Sequence, residues 1–79
     1  MEPYARRVLS EQAALDEKIE SLTRFVSTPT FHGLAGTDRS LLTLQKSVMT
    51  TYSLILGMRL DRLESHGQDK AVAVAAARL

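Results

Sequence analysis

The sequence predicts an all-α protein, an antiparallel two-helix hairpin assembling into a closed homo-oligomer. Three observations lead there. Apolar residues recur at helical spacing in two long segments. One Pro- and Gly-bearing break separates these segments. The second segment is apolar over more of its circumference than one neighbouring helix can cover. The hairpin occupies residues 1–66, with a helix over about 3–26, a turn over 27–37 and a helix over about 38–65. Residues 67–79 form a polar breaker and an Ala-rich tail.

The first helix opens at Pro3, whose missing N–H suits a first helical position. Val8, Leu15 and Leu22 recur every seven residues, and Gln12, Ile19 and Val26 form the adjacent row. Together they make an apolar seam with one polar interruption, Gln12. Glu11, Asp16, Glu17, Glu20 and Arg24 lie outside it as a solvated face. Glu20 and Arg24 stand at i,i+4 in the favourable order.

The run from Ser27 to Gly36 breaks the pattern with Pro29, Gly33 and Gly36. Thr28 is placed to cap a single turn beginning at Pro29. Phe31 and Leu34 would close the end of the hairpin. His32 has no His, Cys or Asp at ligand spacing, so it reads as a surface histidine, and no metal site is expected.

Thr37 is a plausible N-cap for the second helix, with Asp38 favourable in its first turn. Leu41, Val48 and Ile55 form one seven-residue row, and Leu42, Met49, Leu56 and Leu63 the next. Gln45, Tyr52 and Arg59 form a third, polar-aromatic row. Leu44, Leu54, Met58 and Leu60 fall partly outside the hairpin stripe, so other protomers are expected to cover them. Gly57 sits mid-helix at a cost of about 1 kcal/mol relative to Ala, which implies close approach of a neighbouring group or of a ligand. In the tail, His66 to Lys70 breaks the helix, and Ala71 to Leu79 reads as a short helix or a frayed end.

Composition limits the function. A chain of 79 residues and 8.7 kDa is one small domain, near the size where a single core is marginal. It has no cysteine, which removes disulfides, and no Cys/His pattern for structural zinc, so self-association is the remaining staple. A net charge of +1 and a pI near 8.2 give no broad basic field for a DNA or RNA polymer. No apolar run approaches the roughly 18–20 residues of a membrane span. The start is polar and unlike a secretory leader, so a cytoplasmic protein is expected. The chain holds no GxSxG, GxxxxGK[ST] or HExxH motif, and no enzyme activity, catalytic residue or cofactor is expected. What the helices leave over are aromatics and cations, which suit an anionic ligand with flat rings.

The ordered set Tyr4, Arg7-Val8, Glu11, Leu15-Asp16-Glu17-Lys18-Ile19, Leu22 and Phe25, then Phe31, Leu34, Leu41-Leu42, Gln45, Met49, Tyr52-Ser53, Leu56-Gly57 and Arg59, resembles one phage family. These are the small helical-hairpin sponges that phages use against CBASS immunity. The similarity covers about residues 4–62. It implies compact hexamers that bind cyclic oligonucleotide messengers without cleaving them, in the cytoplasm of the host bacterium. Cyclic dinucleotides such as cGAMP would lie in pockets shared between protomers. The tyrosine near the start of the first helix, here Tyr4, would stack on a base, and the lysine of the Leu-Asp-Glu-Lys run, here Lys18, would meet phosphate. A second class of pocket, for cyclic trinucleotides, would use an arginine late in the second helix, matched by Arg59. Arg7 lies one turn from Tyr4 and is placed by spacing alone to reach a phosphate.

The chain departs from the family where Met58 replaces an expected acidic residue, where the start lies only three residues before the tyrosine, and in the Ala-rich tail. Plainer readings stand beside these roles: Tyr4 as a half-buried aromatic closing the hairpin end, Lys18 as a solvated lysine, Arg59 as the partner of a carboxylate in another protomer. Tyr52 reads as structural in either case. Two other functions remain open. One is a coiled-coil adaptor or structural interaction module with no nucleotide ligand. The other keeps the hairpin but binds the cyclic ADP-ribose isomers of Thoeris signalling.

Overall fold

A computed structural model of the chain describes residues 3–65. Three helices follow one another: α1 (Pro3–Phe25), α2 (Pro29–His32) and α3 (Gly36–Ser65). The described residues contain no strand. The helices α1 and α3 pack side by side as a hairpin, and α2 is the turn between them. The rod measures 51 × 18 × 17 Å, which is two helices thick in cross-section. The polar breaker and Ala-rich tail expected at 67–79 lie outside the described residues, as does His66.

The turn is built by one hydroxyl. The Thr28 Oγ1 accepts from the Phe31 N–H at 3.2 Å and donates to the Phe25 carbonyl at 2.7 Å. It therefore caps α2 while holding the last turn of α1, and Pro29 occupies the position where a missing N–H costs nothing. The Phe31 ring is buried and meets Phe25 edge-on, with centroids 6.0 Å apart. Helix α3 begins at Gly36, one residue before the expected cap. Its first-turn bond runs from the Arg39 N–H to the Ala35 carbonyl, so Thr37 lies inside the helix rather than capping it.

The hairpin core is narrow. Val8 of α1 packs with Leu56 and Leu60 of α3, flanked by the half-buried Leu15 and Leu63. Leu56 is the one side chain among the described residues with no exposed surface. The expected α1 seam is the one used: Val8 is buried, and Gln12, Leu15, Ile19, Leu22 and Val26 are half-buried. On α3 the row Leu42, Met49, Leu56, Leu63 faces α1, and Leu60 joins it instead of lying outside the stripe. The row Leu41, Val48, Ile55 is rotated about 100° from that face by the helical repeat and stands exposed.

Polar bonds between the helices fix their register. The Gln12 amide donates to the Ser53 carbonyl at 3.1 Å. The Ser53 hydroxyl donates to Asp16, and the Tyr52 hydroxyl to Glu11 at 2.6 Å. Gly57 is explained by the first of these. A Cβ at position 57 would come 3.0 Å from the Gln12 Nε2. The close group is thus a side chain of the other helix, and Gln12, the polar interruption of the seam, is what glycine accommodates.

This contact predicts a coupling. Gly57→Ala gains about 1 kcal/mol of helix propensity but displaces an amide whose hydrogen bond contributes about 1 kcal/mol. In denaturant titrations, Gly57→Ala should be near neutral in the native chain and stabilising by about 1 kcal/mol in a Gln12→Ala background. Equal effects in both backgrounds would show that the two residues do not interact.

Candidate functional site

The four expected ligand residues do not all lie together within one chain, because Lys18 stands apart. Tyr4 and Lys18 are fourteen residues apart on one helix, or about 21 Å along its axis. A single cyclic dinucleotide therefore cannot bridge both from one copy, and a shared pocket needs them from different copies. Tyr4 is only 7% exposed, so its ring is not open to solvent in the single chain. Arg7 and Lys18 are exposed. Arg59 is half-buried and already engaged within the chain. With Gln12 opposite Ser53, antiparallel register brings Arg59 level with the turn carrying Arg6 and Arg7.

Lys18 does stand in a groove. Between α1 and α3 is an open depression of about 490 Å³, lined by Glu17, Lys18, Ser21, Leu22, Phe25, Gln45 and Met49. Its size falls within the range of small-molecule sites. The Phe25 ring and Met49 thioether give it an apolar floor, and the Gln45 amide and Ser21 hydroxyl supply neutral polar groups. Glu17 offsets the charge of Lys18, so a ligand with two phosphates needs a further cation from outside this groove. The sequence analysis gave a ligand role to Lys18 but none to Phe25 or Gln45, which it named only within the resemblance and the helix rows. The signal was cross-helix pairing at the turn end of the hairpin, which periodicity within one helix does not contain.

A second depression, of about 700 Å³, lies at the turn end and is lined by Phe31, His32, Gly36, Arg39, Ser40, Thr43, Leu44 and Ser47. Arg39 is its cation, and no carboxylate lines it. The Ser40, Thr43 and Ser47 hydroxyls run along one edge, and His32 stands edge-on to Phe31 at 5.5 Å. This polar row was legible only as scattered hydroxyls at i, i+3 and i+7.

Tyr52 is exposed, yet it is tied to α1 rather than displayed. Its hydroxyl bonds both Glu11 oxygens, at 2.6 and 3.1 Å. The hydrogen bond to Glu11 raises the phenol above its ordinary value of 10.0, desolvation and the Glu11 charge add to this, and Arg59 opposes it. Among the described residues no group of three or more His, Cys, Asp or Glu could hold a metal ion, and no helix is long and apolar enough to cross a membrane.

Comparison with known proteins gives one result. A family model described as Sequestin matches residues 2–62. The chain belongs to the Sequestin family. The match spans both long helices and the turn, and therefore both depressions. No curated protein and no solved structure matches this Sequestin chain.

The Tyr52–Glu11 bond makes a pH prediction for it. A raised folded-state pKa contributes stability that is present below pH 10 and lost as pH rises through the folded value. The native hairpin should lose stability in that alkaline window, and Tyr52→Phe should lack this component. Glu11→Gln should bring the phenolate absorbance titration back down. An unchanged titration would show that Glu11 does not hold the proton.

Proposed function

We propose that this Sequestin chain is a homo-oligomeric sponge that binds a cyclic nucleotide messenger without cleaving it and so blocks a bacterial antiviral response. The observation that carries the reading is the family match over residues 2–62, because the family's name denotes sequestering. The residue-level resemblance to anti-CBASS sponges supplies the ligand class, with cyclic dinucleotides first and cyclic trinucleotides through a second pocket. The assembly would be a closed one, six copies by the same resemblance, acting in the host cytoplasm.

The physical case rests on sharing. Lys18, in its groove beside Phe25, would meet one phosphate. Tyr4, brought from another copy and uncovered on assembly, would stack on a base, with Arg7 and Arg59 as further cations. Stacking contributes about 1–3 kcal/mol per base, and charge-assisted hydrogen bonds are roughly twice as strong as neutral ones. A two-fold ligand between two-fold copies doubles each contact. Nanomolar capture, about 12 kcal/mol, is reachable by such a composite pocket and not by one open groove.

Cyclic ADP-ribose isomers, which carry two phosphates as a cyclic dinucleotide does, are the second ligand class by the same resemblance. The exposed apolar row of α3 favours the adaptor reading only if no nucleotide binds.

Melting temperatures measured with cyclic dinucleotides, cyclic trinucleotides and cyclic ADP-ribose isomers test this. A ligand at 100 times its Kd adds about 2.7 kcal/mol, a rise of roughly 10–20 °C for a chain of this size. The active compound should be recovered intact after heat denaturation. Lys18→Ala should weaken binding roughly 10- to 100-fold, as expected for a lost charged hydrogen bond. Absence of any shift across the panel would defeat the sponge reading, and recovery of a linearised product would replace capture with hydrolysis.

A further inference from the structure

Of the two depressions, the one at the turn end has no part in the sponge reading, and it is the one with unopposed positive charge. Arg39 lines it and no carboxylate does, whereas Glu17 offsets Lys18 in the other groove. Asp38 precedes Arg39 in sequence, but the helical repeat turns it about 100° away, and it does not line the depression. The Arg39 guanidinium lies back against the start of α3, since a Cβ on Gly36 would come 3.7 Å from its Nη2. Among the described residues the side chains of Arg39, Ser40 and Ser47 enter no ion pair or hydrogen bond. The Thr43 hydroxyl donates to the Arg39 carbonyl at 2.9 Å and so presents only its lone pairs.

We propose that this depression is a second ligand site, separate from the Lys18 groove, and that it takes a small phosphomonoester. The donor set decides the class. A guanidinium offers N–H donors in a planar fork and no acceptor, and the Ser40 and Ser47 hydroxyls can each donate. An acceptor-only anion satisfies such a set, and phosphate oxygens match the fork in bidentate fashion. A terminal phosphate carries a charge of about −1.5 to −2 at neutral pH, more than each diester of a cyclic messenger, so it gains more from a lone cation. Spacing then orients the ligand. Ser40 and Ser47 stand about 10 Å apart along the helix axis, too far for one phosphate to meet both. The phosphate therefore sits at the Arg39–Ser40 end, where His32 offers a further ring N–H. The body of the ligand runs over Leu44 towards Ser47. A depression of about 700 Å³ is large enough for a body of nucleoside size.

The site does not depend on the sponge reading, and its probes are not cyclic, so either can fail without the other. The full chain at low salt is titrated with adenosine 5′-monophosphate, inorganic phosphate and adenosine while backbone amide shifts are followed. The nucleotide should give saturable shifts at His32 and over residues 36–47. Its Kd should be on the order of 1 mM, because the donors are open to water. Inorganic phosphate should shift the Arg39–Ser40 end alone, and adenosine should bind at least about tenfold more weakly than its phosphate ester. Arg39→Gln should weaken both phosphate probes about tenfold. Ser47→Leu, at the far end, should weaken the nucleotide and leave inorganic phosphate as it was. Should Arg39→Gln lose helicity, Arg39→Lys decides: it keeps the charge but not the fork, and should still weaken phosphate several-fold. Unchanged affinity in the Arg39 variants, shifts centred on residues 17–25, or no saturable shift with either phosphate probe would overturn the proposal.

Discussion

The structure depends on one seam, the contact of α1 with α3 through Val8, Leu56 and Leu60. Two helices can share only one line of contact, and each long helix has a full circumference to dispose of. For α1 the problem is small, since charged residues cover most of its outer face. For α3 it is severe, because among the described residues Leu41, Leu44, Val48, Leu54, Ile55 and Met58 stand exposed. A helix apolar on more than one side is stable in water only when something else packs on it. In the proposed function this unbalanced helix links fold to ligand: the hairpin would be half of a packing unit, and the copies that complete it would also create grooves that one copy lacks.

Register within the hairpin is set by polar bonds more than by the core. Leucine and valine rows tolerate sliding by a helical turn. The bonds from Gln12, Asp16 and Glu11 to Ser53 and Tyr52 do not, since each has a single partner at hydrogen-bond distance. Gly57 belongs to the same device, because it leaves room for the Gln12 amide. That register places Lys18 opposite Gln45 and Met49 and so shapes the groove beside Phe25. A change that slid the helices would remove the groove before it unfolded the hairpin.

Much of this was legible in the sequence, for identifiable reasons. Pro3, the Thr28-Pro29 pair and the seven-residue rows are local signals, and they place α1, the turn and α3 within a residue or two. Periodicity alone did not separate the two apolar faces of α3. Leu41, Val48 and Ile55 look as core-like as Leu42, Met49 and Leu56, and only the position of α1 tells them apart. Leu60 shows the converse, a residue set outside the stripe by row counting yet buried in the seam. Gln12 and Gly57 were visible separately as a polar interruption and a costly glycine. Their pairing is a cross-helix fact. The same holds for the site: Lys18 is a local motif residue, whereas Phe25, Gln45 and Arg39 become site residues only once the hairpin is closed. Tyr4, expected from the resemblance to stack on a base and from the plain reading to close the hairpin end, is buried in the single chain.

The central claim is that the fold is completed by copies of itself. The direct measurement is the thermal midpoint of the native chain as a function of its own concentration, without ligand. Association linked to folding should lower that midpoint by several degrees for each tenfold dilution, because a tenfold change corresponds to about 1.4 kcal/mol. A midpoint that stays constant across three decades of dilution would mean that one hairpin folds alone, with its second apolar face open to water, and would contradict the account.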